Sequence, residues 1–189
     1  MNKQPEITDA TRKRILDSFW ILFRNKPIDK ITVAQISEGA KIHRSSFYRY
    51  YQDVYMVLEE FEKDLLDSLR TEIEPVFEKT DLSLPVYTEL TVPILMKYFD
   101  KIYRLLNDSS SQFRQDFFSE VKHNISSKLD LGVSEMERKY MESFITSAML
   151  HNFNYWYEHQ DVCSLTEINT VCQKILFYGI SKMPDVKKY

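Results

Sequence analysis

Three glycines in 189 residues leave few places for this chain to turn tightly, and that shortage is the strongest constraint on its fold. A many-stranded sheet protein needs a turn at nearly every strand end, and glycine and proline supply the positive or fixed φ that such turns demand. Only 6 prolines accompany the glycines, so long uninterrupted segments remain and the expectation is an all-α protein. A hydrophobic content of 43%, with 14% aromatic residues, is ample for its core.

Apolar spacing locates the helices. Residues 1–8 are polar, contain Pro5 and read as a loose arm. From about Thr8 or Thr11, Ile15, Leu16, Phe19, Leu22 and Phe23 recur at helical intervals until Pro27, which should stop the first helix. Thr32 and Gln35 have capping-box spacing and open a second helix of about two turns, with Val33, Ile36 and Ala40 on one face. A break at Gly39–Lys41 leads to a third helix over about His43–Tyr51. Phe47 and Tyr51 face inward there, while Ser45, Tyr48, Arg49 and Gln52 project opposite.

Asp53 can cap a fourth, long helix carrying Leu58, Phe61, Leu65, Leu69 and Ile73 until Pro75. Residues 78–85 read as a connection. Pro93 suits the first turn of a helix through about Asn107, followed by a break at 108–111 and another helical stretch near 112–129. Ser134 with Glu137 and Ser164 with Glu167 are two further capping boxes opening the last two helices. The first of these runs over about 136–158; the second carries Leu165, Ile168, Val171, Cys172, Ile175, Leu176 and Gly179. Their apolar surface extends over more than one side, which predicts a symmetric dimer through a four-helix contact. Its candidate residues are Met141, Ile145, Ala148, Asn152, Ile168, Cys172 and Ile175.

The net charge of -3 hides an asymmetry. Residues 1–56 hold 10 Lys and Arg against 6 Asp and Glu, giving +4, and residues 57–189 hold 15 against 22, giving -7. A basic head, 1–56, on an acidic body, 57–189, fits nucleic-acid binding by the head and another task for the body. The third helix strengthens this: two arginines, two serines and three tyrosines fall within Arg44–Tyr51, on an element too short to be stable without packing. Cys163 and Cys172 are nine apart, fit no paired metal-ligand spacing, and read as reduced, buried thiols in a cytoplasmic protein. No signal-peptide pattern or membrane-length apolar run is present, so no membrane partner is expected.

The block Thr11–Leu16 to Phe23, then Ile31–Ile36, Ala40, Ile42 and Phe47–Tyr51 resembles the N-terminal domain of the TetR family of bacterial transcriptional regulators, over roughly residues 10–62. The segment Phe153–His159 with Ser164–Glu167 resembles that family's final helix pair in outline. The resemblance implies a two-fold dimer in which each third helix enters a major groove of double-stranded DNA, with a small-molecule effector in the body moving the fourth helix. Carried over by position, Arg44, Ser45 and Tyr48 would face base edges. Ser46, Arg49 and Tyr50 would hold phosphates, helped by Thr32 and the start of the second helix. Three positions depart from the family: Lys41 stands where the turn glycine is usual, His43 where a small hydroxyl residue is usual, and Val54 where a lysine is common.

For the body, Tyr98, Tyr103, Phe117, Phe144, His151 and Tyr155 are candidate ligand contacts, among aromatic residues that serve packing more often than binding. The four histidines lack close metal-ligand spacing, and no phosphate loop or nucleophile motif appears, so neither an enzyme nor a metal or cofactor is expected. Two readings compete with the ligand-controlled regulator. One is an adaptor of the same fold answering to a protein partner, and the other a helical interaction module without DNA binding.

Overall fold

The computed structural model describes residues 5–78, 84–128, 134–164, 167–168, 170–172 and 174–175. Among them there is no strand, as the shortage of turn residues requires. The chain divides into two compact units, Met1–Arg70 with Tyr98–Phe117 and Thr71–Lys97 with Phe118–Tyr189.

The first unit begins with α1, Pro5–Phe23. Helix therefore replaces the expected loose arm from Pro5 onward, because proline's fixed φ suits a first helical turn where no N–H bond is lost. The helix also ends sooner than Pro27. Its last turn tightens through Asn25 N–H to Leu22 O, 3.1 Å, and the Asn25 side-chain amide donates to Ile21 O, 2.9 Å. Pro27 opens a single 3-10 turn, Ile28–Lys30, instead.

The second helix, α2, is Val33–Gly39, and both halves of the Thr32–Gln35 capping box are formed. The third, α3, is only Arg44–Phe47. The expected helix to Tyr51 gives way to turns closed by Arg49 N–H to Ser46 O and Tyr50 N–H to Phe47 O, 3.3 and 2.8 Å. So short an element holds its shape by packing: Phe47 and Tyr51 are buried with Ile15, Phe19, Phe23, Ile36 and Ala40 in the core of this unit. Gly39, the last residue of α2, is needed for close approach. A methyl there would strike the Ser18 hydroxyl, which donates to Ile36 O at 2.9 Å and joins α1 to α2.

Asp53 caps α4, Val54–Phe77, by accepting from Met56 N–H at 3.0 Å. The helix continues past Pro75, the expected stop. A proline in the last turn removes one ladder donor, and the Glu78 N–H to Glu74 O bond, 3.1 Å, closes the turn beyond it. Val57, Leu58, Phe61, Leu65 and Leu69 line its buried face.

Pro93 likewise lies inside α5, Leu84–Lys97, not in a first turn. The single helix expected from Pro93 to Asn107 is broken at Tyr98, and α6 runs from Phe99 to Leu106. The break lets Phe99, Ile102, Leu105 and Leu106 all be buried. At roughly 1.5–3 kcal/mol for each large apolar side chain, that outweighs a few ladder bonds of about 1 kcal/mol. Phe113, the first residue of α7, Phe113–Lys128, is also buried in this unit.

In the second unit, Lys97 at the end of α5 pairs with Glu72, 2.6 Å. The helix α8, Glu135–Glu158, opens on the expected Ser134–Glu137 box. The Ser164–Glu167 box is also formed, with Glu167 N–H donating to Ser164 Oγ at 3.2 Å. The described residues of 167–175 are helical; Leu165, Leu176 and Gly179 of that expected helix lie outside the described residues. Trp156 is buried and its indole N–H donates to Cys163 O at 3.0 Å. Cys163 and Cys172 are free thiols, and half-buried where full burial was expected. Polar neighbours explain Cys172: the Asn152 amide donates to its Sγ at 3.1 Å, while partial burial pushes the thiol up from its ordinary pKa.

Candidate nucleic-acid interface

The two faces of α3 and its following turn divide cleanly. Phe47 and Tyr51 are buried, whereas Arg44, Ser45, Tyr48 and Arg49 are exposed, and Ser46 and Tyr50 are half-buried. Exposure of Tyr48 reaches 58% although its ring packs edge-on against Phe47, 5.7 Å between centroids. That contact holds the ring without covering its hydroxyl. Neither Arg44 nor Arg49 has an acidic partner among the described residues, so both guanidiniums keep their full hydrogen-bonding capacity.

Thr32 is exposed at the start of α2, where its Oγ1 accepts from Gln35 N–H at 3.3 Å. The capping bond uses a lone pair and leaves the hydroxyl proton to donate elsewhere. Gln35 Oε1 takes both the Thr32 N–H, 3.1 Å, and the Lys26 ammonium, 2.9 Å, which fixes the entry to α2.

The departures noted in sequence have distinct structural outcomes. Val54 is a core residue, so the first turn of α4 trades a cation for packing. His43 is the N-cap of α3 without a side-chain capping bond, although its carbonyl accepts from Ser46 N–H at 2.8 Å. Lys41 adopts the left-handed conformation, φ 53°.

Behind the exposed face, the unit is braced by charged groups that sequence spacing did not reveal. Arg12 on α1 bridges to Glu60 on α4, 2.6 Å, which raises the guanidinium's pKa, and the Tyr51 hydroxyl lies beside the pair. Burial, reinforced by Glu60, holds the Tyr51 phenol well above its usual range, so it stays neutral. On α6, Arg104 donates to Phe23 O and Lys26 O, 2.8 and 3.3 Å, pairs with Asp108 at 2.8 Å, and lies 4.1 Å from the centre of the Phe23 ring. One turn earlier, Lys101 stands over Phe61 and Trp20, at 5.2 and 6.0 Å. These cations clamp α6 to the end of α1. Partners 78 and 81 residues away in sequence leave no local signal.

The candidate ligand residues fall into separate units. Tyr98, Tyr103 and Phe117 are half-buried in the first, while Phe144, His151 and Tyr155 are exposed in the second. Of the candidate dimer residues, Ile145 is buried within its own unit; Met141, Ala148, Asn152, Ile168 and Cys172 are half-buried, and Ile175 is exposed. A different side of α8 is apolar and open, formed by Met136, Tyr140, Phe144 and Tyr155, with Val171 and Ile175 exposed one turn apart farther on. Among the described residues, no group of three or more His, Cys, Asp or Glu is placed to hold a metal ion, and no helix is long and apolar enough to cross a membrane.

These features define an all-helical protein with a helix-turn-helix head. No family model matches the chain. It is similar over 92% of its length to a TetR transcriptional regulator from Streptococcus agalactiae, 99% of which is covered at 19% identity and a TM-score of 0.66. The dihydroxyacetone kinase operon activator DhaS is matched over 90% of this chain and 96% of that one, at 17% identity and a TM-score of 0.61. A third similar structure is the TetR-family repressor FadR of Thermus thermophilus in complex with lauroyl-CoA, with 94% and 98% covered, 19% identity and a TM-score of 0.60. The chain has the fold of the TetR-type transcriptional regulators. It is also 29% identical over 77 residues to an uncharacterized HTH-type transcriptional regulator of Bacillus subtilis, YxbF; that match takes in 41% of this chain and one fifth, 20%, of the relative.

Proposed function

We propose that the protein is a non-catalytic, one-component transcriptional regulator that binds a two-fold-symmetric DNA operator as a homodimer, with affinity set by a small molecule in the helical body. The observation that carries this reading is the α3 region: an inner face buried in the core and an outer face of exposed Arg44, Ser45, Tyr48 and Arg49, with both cations unpaired among the described residues. A solvated surface needs no such concentration of tyrosines and arginines, whereas base edges and phosphates use both. In this reading the head of residues 1–56 reads DNA. Arg44, Ser45 and Tyr48 face base edges; Thr32, Ser46, Arg49 and Tyr50 hold phosphates.

Residues 57–189 supply dimerisation and effector binding. The open apolar side of α8, Met136, Tyr140, Phe144 and Tyr155, continued by Val171 and Ile175, is the surface we assign to the second copy. It takes precedence over Ile145, which is already buried within its own unit, and over the half-buried Met141 and Ala148, because the more a residue is already covered the less it gains by association. Effector control is supported by the likeness to FadR, which was solved with lauroyl-CoA. Repression is the default sense, although the similar structures include both an activator and a repressor.

Titration of the purified protein with the DNA flanking its own gene tests the reading. A sequence-specific complex whose affinity falls steeply with salt is expected. Absence of any complex at low salt, or a monomer in sedimentation at micromolar concentration, would count against it and favour the adaptor.

A further inference from the structure

Lys41 holds a backbone conformation that a side chain makes costly. Among the described residues it is the non-glycine position with positive φ, at 53°. The cause is the way α2 ends. Ala40 is the C-cap, Lys41 N–H donates to Glu38 O at 3.0 Å, and Ile42 N–H donates to Ser37 O at 3.0 Å. This pair of bonds is a Schellman closure, which requires a left-handed residue where Lys41 stands and is usually satisfied by glycine.

Nothing in the closure uses a lysine. Its Cβ crowds the following carbonyl, and its side chain is exposed without a hydrogen bond or ion pair to any described residue. Two cations of the same unit are engaged, Arg12 with Glu60 and Arg104 with Asp108, whereas Lys13, Arg24 and Lys63 on other elements have no ion-pair partner among the described residues. Lys41, like Arg44 and Arg49, has no side-chain partner among the described residues, and it stands in the turn that leads into α3. In a helix-turn-helix the second helix meets base edges while the first crosses the backbone, so the turn between them runs at the level of the phosphates.

We infer that Lys41 is a phosphodiester-contact residue of the DNA interface, a charge kept at the expense of backbone strain. The inference rests on the regulator reading above and deepens it. The strained turn strengthens DNA binding where a lysine in place of glycine would otherwise only weaken the head.

The test uses the full chain and three variants, Lys41→Gly, Lys41→Asn and Lys41→Arg, followed by thermal melting and by anisotropy of a short fluorescein-labelled duplex of mixed sequence. Removing one phosphate contact lowers the slope of log affinity against log salt by about 0.9, so the affinity ratio of wild type to variant shrinks about 3.5-fold between about 50 and 200 mM salt. Lys41→Gly is expected to melt about 2–4 °C higher while binding DNA more weakly and with the shallower slope. Lys41→Asn, neutral and tolerant of the left-handed region, should show the same loss of slope, and Lys41→Arg should keep the wild-type slope. Wild-type affinity and slope in both neutral variants would overturn the inference and leave the regulator reading standing. A shallower slope in Lys41→Arg as well would also overturn it. Failure of the wild type to bind the duplex at low salt would remove both.

Discussion

Replacing Arg104 by alanine should weaken the first unit more than any other single surface change. The side chain is 22% exposed and its partner Asp108 only 8%. Truncation removes a 2.8 Å bond to Phe23 O, a 3.3 Å bond to Lys26 O, the 2.8 Å ion pair and the contact with the Phe23 ring. A hydrogen bond from a charged donor contributes about 1.5–3 kcal/mol, and breaking a buried ion pair costs about 3–5 kcal/mol because the remaining charge is stranded. These terms share one side chain and do not add. With the guanidinium partly open to water, we take the lower end, about 3 kcal/mol, read as a fall in the urea midpoint at unchanged slope. A lysine at this position keeps a charge near Asp108 but lacks the planar fork that serves two carbonyls, so Arg104→Lys should lose about half as much. Amide exchange should quicken first around residues 23–31, where the end of α1 loses its clamp. A loss in Arg104→Ala below about 0.5 kcal/mol, the scale of an exposed ion pair, would refute the reasoning. So would a full loss with no preferential exchange at the end of α1.

The remaining predictions concern DNA reading, close packing and one buried acid. On the regulator reading, Arg44→Ala should relax preference at one base pair by about 1–3 kcal/mol, whereas Arg49→Ala should weaken all sequences alike and lower the salt slope by about 1; indistinguishable behaviour in quantitative binding assays would sink the division of roles. Gly39→Ala should destabilise by about 1–2 kcal/mol despite alanine's better helix propensity, since the added methyl meets Ser18. Ser18→Ala in the same chain should recover part of that loss in denaturant melts, and a stabilised Gly39→Ala would contradict the packing argument. Glu62 is 6% exposed with one carboxylate oxygen unpartnered. Burial pushes its pKa up from 4.5, opposed by Ser111 and the Gln112 backbone and reinforced by Asp116 and Asp108. Because the folded-state value is raised, the stability linked to its proton is full below the unfolded value and is lost as pH rises through the folded one. Glu62→Gln should therefore stabilise at neutral pH by on the order of 1 kcal/mol, with the gain shrinking toward about pH 4.5, as measured by urea melts across that range.

Much of the head is legible in local chemistry alone. Capping boxes at Thr32, Ser134 and Ser164 need only a hydroxyl and an acid or amide three residues apart, and all three are formed. Buried Phe47 and Tyr51, four residues apart, and exposed Ser45, Tyr48 and Arg49 fall where a helical rotation would put them, although α3 itself ends at Phe47 and turns carry the chain on to Tyr51. Proline was the less dependable signal. Pro75 and Pro93 lie within helices, where each removes one ladder donor without ending the element.

The sequence by itself determined the helical class, the helix-turn-helix and most of the side chains left exposed beside it, since each depends on residues within a few turns of one another. Only the tertiary structure decided that α6 belongs with the head, that Arg104 closes the end of α1, that Glu62 is buried, and which side of α8 stays open. Those outcomes depend on which distant surfaces meet, and periodicity cannot specify that: an amphipathic helix declares that it has an apolar face without naming the element that will cover it.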